Sequence, residues 1–264
     1  MTLTYLGPTV GAGGLIVPAA GAELDPLLAE AVLLLRASSL TSDWEPGDGW
    51  PNEGTLGDTH DAIQDGGPDQ VSAAWVEGGV EMGDETNNGY STGEYGLAFP
   101  VSGFDFSGDF TVALDFTPDV VPQNSFHYID MQDNILGQAG GVGWFLGDIT
   151  EFNGGNTALI DDNEGATFPT DLNGIIWPTS SGRQLWVMRV DRTEGMQLFK
   201  DGTNPGTPAG GGSAGDPADL TGIGDVTPAT GPGRLGPAQI VHNVAIWERA
   251  LTDTEITVDL PAAL

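Results

Sequence analysis

Between Phe110 and Phe116 the chain alternates. Phe110, Val112, Leu114 and Phe116 are large and apolar, whereas Thr111, Ala113 and Asp115 are small or polar. A period of two places these sets on opposite faces of a β-strand. Further β-rich runs follow at Phe126–Met131, Val142–Leu146, Leu185–Val190, Met196–Phe199 and Gln239–Trp247. Gly, Pro and Asp/Asn separate them, including the hairpin signal Lys200-Asp201-Gly202. Many short strands with such punctuation predict an all-β sandwich or barrel.

Helical signals lie near the ends. Leu27, Leu28, Ala31, Val32 and Leu35 have helical spacing, but Val32–Leu35 is a continuous apolar run that reads as a buried strand. Thr252 followed by Glu255 has capping-box spacing and predicts a short helix over Asp253–Val258. Met1–Gly21 is a small-residue segment without either period, so residues 1–30 are expected to form an arm and 31–264 the folded body. Ten glycines between Gly202 and Gly233 mark a long irregular excursion within that body. No internal repeat is present.

Charge narrows the function classes. The 264 residues carry 38 acidic and 7 basic side chains, a formal net charge of -31. No Lys or Arg occurs between Arg36 and Arg183, a stretch with 25 carboxylates. Nucleic acid is therefore excluded as a partner, because affinity for phosphates rests on Lys and Arg displacing counterions. Anionic membranes are disfavoured on the same ground. With no cysteine there are no disulfides, thiolate metal sites or Cys nucleophiles. No apolar run approaches a membrane span, and no basic-then-apolar leader is expected in Met1–Ala20. The preference for Arg over Lys and Asp over Glu fits a high-GC genome and adaptation to high salt equally.

Two segments resemble the laminin-G-like, concanavalin A-like jelly rolls of bacterial and phage proteins. LLLRASSLTSDWEPGDGWPNEGTLGDTHDAIQ, Leu33–Gln64, is similar to the opening of such domains, and RLGPAQIVHNVAIWERALTDTEI, Arg234–Ile256, to their closing strand. FTVALDFTP and LWVMRVDRTEGMQLFKDG match the intervening core strands in type and order. The resemblance covers about residues 31–260; the Gly/Pro-rich excursion before Arg234 departs from it. It implies a two-sheet antiparallel jelly-roll sandwich with an extended N-terminal arm and a short C-terminal helix. Relatives of this kind bind glycans or proteins, some through Ca²⁺, while others are glycoside hydrolases with paired carboxylates. Fold alone does not choose among these.

Retaining hydrolysis needs two carboxyls about 5 Å apart, and hydrolases resembling this fold carry E-x-D-x-x-E on one strand. The nearest segment, Tyr128–Asp133, has Tyr128 and Asp133 at the two glutamate positions. The spacing of Glu81-Met82-Gly83-Asp84-Glu85 is wrong. Two G-x-S-x-G strings, Gly89–Gly93 and Gly211–Gly215, lack the following helix that a nucleophile elbow requires. His60, His127 and His242 have no zinc-type spacing. His242 shares the parity of Ile240, Val244 and Ile246, which predicts a hydrogen-bonded core histidine. Calcium wants six to eight oxygen ligands. Asp161, Asp162 and Asn163 form the first candidate cluster, and Asp130, Asp133 and Asn134 the second. Trp44, Trp50 and Trp75 stand near loops as candidate sugar-stacking platforms, whereas Trp144, Trp186 and Trp247 lie in strand patterns and read as core.

The expectation from sequence is a non-enzymatic structural protein at a virion surface, a capsid decoration or tail component within a symmetric assembly. Its arm would dock onto other virion proteins through Leu3, Tyr5, Leu6, Leu15, Ile16 and Val17. An anionic coat suppresses clumping of like particles. Host-surface polysaccharide is the second expected partner. The alternatives are a carbohydrate-binding or adhesin module, with or without Ca²⁺, and a glycoside hydrolase of the same fold.

Overall fold

The computed structural model describes residues 24–64, 72–83, 96–106, 108–118, 126–132, 142–149, 156–162, 182–203, 233–236 and 239–264. They form two antiparallel sheets. A short helix α1 (Pro26–Ala29) precedes β1 (Leu33–Arg36). After three 3-10 turns come β2 (Ile63–Gln64), β3 (Ala73–Val76), β4 (Gly79–Met82) and β5 (Leu97–Phe99). The central strands are β6 (Phe110–Pro118), β7 (Phe126–Gln132), β8 (Val142–Ile149) and β9 (Asn156–Asp162). The chain closes with β10 (Gln184–Asp191), β11 (Gly195–Lys200), β12 (Gly233–Leu235) and β13 (Gln239–Trp247). A π-helical turn, Glu255–Asp259, then runs into α2 (Leu260–Ala263).

The larger sheet has the order β11-β10-β6-β13-β4-β3, with β1 beside the second half of β13. The smaller has the order β2-β5-β12-β7-β8-β9. This is the all-β sandwich with a short C-terminal helix expected from sequence. Apolar side chains of alternating strand positions fill the interlayer core. Phe110, Val112, Leu114 and Phe116 of β6 meet Trp186, Met188 and Val190 of β10, Val241, Val244 and Ile246 of β13, and Leu97, Phe99, Ile129 and Leu235 of the facing sheet.

The opposite face of the larger sheet is also buried over half its extent. Leu34, Ala113, Leu185, Val187, Phe199, Ala245 and Trp247 pack there against Leu27 and Leu28 of α1 and against Leu251, Ile256 and Leu260. Topology explains why the cover sits at one end. Leu33 pairs with Ile246, so α1 lies just before one strand and the C-terminal helix just after the other, at the same end of the sheet. Residues 24–30, assigned to the arm from sequence, are thus part of this cover. The capping box forms as predicted: the Thr252 N–H donates to Glu255 Oε2 at 2.7 Å, and the Glu255 N–H to Thr252 Oγ1 at 3.3 Å. The helix it starts extends beyond Val258, because Leu260 adds a further apolar contact to the sheet.

The segment Trp50–Gly54 is pinned to β1. Asn52 Oδ1 accepts from the N–H groups of Leu34 and Gly54, both at 2.8 Å. A Cβ on Gly54 would lie 2.5 Å from the Val32 carbonyl oxygen, so only glycine permits this approach.

Candidate functional site

The remaining half of that outer face carries polar side chains. On β6, Asp115 and Thr117 share the parity of Thr111 and Ala113 and point away from the interlayer core. On β13 the register slips between Val241 and Asn243, a β-bulge. Val241 and Val244 both enter the core, so His242 and Asn243 both face outward, next to Ile240. A bulge re-aims side chains in this way, at the cost of one ladder position. Alternation therefore fails at His242: it does not share a face with Val244 and Ile246, contrary to its sequence parity.

Asp115 anchors the patch. Its side chain is 5% exposed, and burial of a carboxylate demands partners. Arg183, one residue before β10, supplies a two-pronged one: Nε donates to Asp115 Oδ1 at 2.7 Å and Nη2 to Oδ2. Asn243 Nδ2 adds a third bond to Oδ2 at 2.6 Å, which orients its amide. The Arg183 side chain remains 52% exposed. The hydrogen bonds to Asp115 raise its pKa above the ordinary arginine value, and partial burial opposes the rise. Beside this trio the Gly78 carbonyl, which can only accept, takes a hydrogen bond from His242 Nδ1 at 2.6 Å. His242 Nε2 then accepts from Thr117 Oγ1 at 2.8 Å. Gly79 makes room for the bulge, since a Cβ there would lie 2.4 Å from Ile240 Cγ2. Arg36 stands opposite Asn243 in register and pairs with Glu53. Glu81, opposite Ile240 on β4, is exposed.

The residues singled out from sequence fall elsewhere. Trp44 and Trp50 are corrected to core residues. Trp50 is fully buried and its indole N–H donates to the Arg36 carbonyl; Trp44 is nearly so, and its indole N–H donates to the Gly49 carbonyl. An enclosed ring has no face to offer a sugar. Trp75 is half-buried at the edge strand β3, against the core. Trp186 and Trp247 are core, as expected. Asp161 and Asp162 end β9 opposite Gly143 and Val142, and Asn163 lies outside the described residues. Asp130 lies in β7 opposite Arg234 and Phe145, while Asp133 and Asn134 lie outside them. No group of three acidic or histidine side chains that could hold a metal occurs among the described residues. His60 is buried, with Nε2 on the Ser102 carbonyl and its ring edge-on to Phe104. Leu3, Tyr5, Leu6, Leu15, Ile16, Val17 and both G-x-S-x-G strings lie outside the described residues. No helix among the described residues is long and apolar enough to cross a membrane.

Sequence reasoning missed Asp115, Thr117, Arg183 and Asn243. Two signals were present: a carboxylate at an outward position of the most regular strand, and the first cation after the Arg36–Arg183 gap.

The architecture is that of a two-sheet antiparallel β-sandwich, and solved structures of the same build are found. Trypanosoma rangeli sialidase matches with a TM-score of 0.50 and 17% identity, covering 95% of this chain and 34% of that one. The binding domain of botulinum neurotoxin DC, solved in complex with rat synaptotagmin II, matches with a TM-score of 0.50 and 10% identity over 89% of this chain and 52% of that one. The binding domain of Paraclostridial mosquitocidal protein 1 gives 0.50 and 13%, over 89% and 53%. The chain thus spans between a third and about half of these structures, and the likeness is one of fold. No family model matches the sequence, and no curated relative is found.

Proposed function

We propose that this chain is a non-enzymatic recognition module that binds a surface glycan. The observation that carries the proposal is the polar half of the outer face: fixed hydrogen-bonding groups on a rigid sheet, with Arg183 half in solvent. Preorganised polar groups on strands suit binding, since little ordering entropy remains to be lost. Two of the similar folds are binding domains, one of a botulinum neurotoxin in complex with rat synaptotagmin II and one of a mosquitocidal protein, which favours recognition over a purely structural part. Virion decoration, the first expectation from sequence, draws nothing from these likenesses.

The described residues also suit binding better than hydrolysis. Asp115 accepts three hydrogen bonds from Arg183 and Asn243 and is nearly buried, and His60 and His242 each contact a backbone carbonyl through one ring nitrogen. A general base needs a free lone pair near its target. A glycan array probed with the full chain, with and without chelator, tests the proposal. Retention on a defined subset of glycans, without release of product from fluorogenic glycosides, is the expected result. Failure to bind any glycan, or turnover of one, overturns it.

A further inference from the structure

The Asp115-facing edge of Arg183 uses Nε–H and one Nη2–H. A guanidinium has five N–H donors in a planar fork. Nη1 and the second Nη2 hydrogen therefore form a free two-donor edge, for which no acceptor occurs among the described residues. Arg183 lies outside the helix-covered half of the sheet, and its side chain is half exposed. Two acceptors stand in the same patch. Asn243 commits one N–H of its amide to Asp115, which orients the group and leaves its carbonyl oxygen to accept. Thr117 donates to His242, which leaves lone pairs on its hydroxyl.

Both the fork and these acceptors fit one kind of group. A planar fork matches two oxygens side by side, as in a carboxylate, a phosphate or a pair of vicinal hydroxyls. An anion could use the fork but would meet the acceptors of Asn243 and Thr117 with nothing to donate. A hydroxyl both donates and accepts, and satisfies each side. Charge decides in the same direction. Asp115 already neutralises Arg183 and Glu53 neutralises Arg36, while the exposed Glu81 borders the patch in a chain of net charge -31. Within a Debye length of about 8 Å at physiological salt, an anionic ligand would face net repulsion. The patch crosses β10, β6, β13 and β4. At about 4.8 Å per strand, that width accommodates a few sugar rings.

We infer that the free edge of Arg183, with Asn243 and Thr117, is a subsite for the vicinal diol of an uncharged saccharide. This rests on the glycan-binding reading and adds its place and its chemical class.

The test is titration calorimetry of the full chain with dextran and galactomannan as uncharged probes and polygalacturonate as the charged one. Binding of an uncharged probe is expected, nearly unchanged between about 50 and about 500 mM salt. Arg183→Gln should weaken it by about tenfold or more, the loss of a charged two-point donor. Thr117→Val, close to isosteric, should weaken it by a few-fold. Arg249→Gln, in the helix-covered half, should leave it unchanged. Thermal midpoints of all three variants show whether each is folded, and Thr117→Val keeps the test decisive if Arg183→Gln is not. Uncharged probes bound equally by wild type, Arg183→Gln and Thr117→Val would place the site elsewhere while leaving the glycan-binding reading intact. Tighter binding of polygalacturonate would overturn the assignment to uncharged sugars. Binding of no probe would overturn the inference, and the array separately decides the broader reading.

Discussion

The two halves of one sheet face use their charged side chains in opposite ways. In the helix-covered half, arginines act as internal fasteners. Arg189, 7% exposed, donates to the Leu251 carbonyl at 2.9 Å, to Asp253 at 2.6 Å and to Gln197, and lies over the Phe199 ring. Arg249 pairs with Glu30 and Glu255, tying α1 to the C-terminal helix. Thr111 donates to the Arg249 carbonyl and accepts from the Leu251 N–H. These groups hold one part of the chain to another. In the polar half, Arg183 satisfies Asp115 with one edge and turns the other to solvent. The same residue type on the same sheet is consumed by the fold in one place and kept for a partner in the other. The cause is topological, because both helical segments attach at the Trp247 end of β13.

The largest effect belongs to the covered half. Trp247 is fully buried, and its indole N–H donates to the Leu27 carbonyl at 2.8 Å. Trp247→Ala should cost about 3–5 kcal/mol, by lost burial and a cavity beneath both helices. A shift of the urea midpoint at unchanged slope measures it. A loss under about 1 kcal/mol would mean that the helices merely rest on the sheet. Next comes Asp115→Ala, which leaves the buried amide of Asn243 without its acceptor while the Arg183 guanidinium can turn to water. A cost of about 1–3 kcal/mol is expected, together with lost glycan binding, because nothing then orients the fork. Arg183→Gln leaves the nearly buried Asp115 carboxylate without its charged partner, so a folding cost of about 1–3 kcal/mol, comparable to that of Asp115→Ala, is expected, and it removes the binding edge. Equal folding losses for Trp247→Ala and Arg183→Gln would erase the distinction between the halves.

The sequence made the covered half partly legible and the polar half hardly at all. Alternation in Phe110–Phe116 identified the core strand and its direction, and Thr252–Glu255 announced the C-terminal helix, because both are local patterns. Trp50 misled for a related reason. Its neighbours Pro51, Asn52 and Gly54 look like a loop, yet Asn52 and Gly54 pin that loop onto β1 and turn the indole inward. The polar patch depends on what local patterns do not encode. Asp115 and Arg183 are distant in sequence and meet only because β6 pairs with β10. The slip at His242 reverses the parity from which its face was read.

The smallest effect concerns acid. Glu255 is held down to about 2, chiefly by its hydrogen bonds from Arg249, with further bonds from Thr252, while burial pushes the other way. Its ordinary value is 4.5. A folded-state pKa below the unfolded one adds stability that is fully present above the unfolded value and disappears as pH falls through the folded one. The Arg249–Glu255 contact should therefore weaken progressively from about pH 4.5 to about pH 2. Arg183 titrates far above this range, so its own charge does not change there. Amide protection at Ile256, whose N–H donates to the Thr252 carbonyl at 3.0 Å, should fall across that window when exchange is referred to the intrinsic rate at each pH. Arg249→Gln should return the Glu255 carboxyl toward its ordinary range and move the onset to higher pH. Glu255 titrating near 4.5 in the unaltered protein would show that Arg249 does not fasten the helix, and would leave Arg189, Thr111 and the apolar contacts to anchor it.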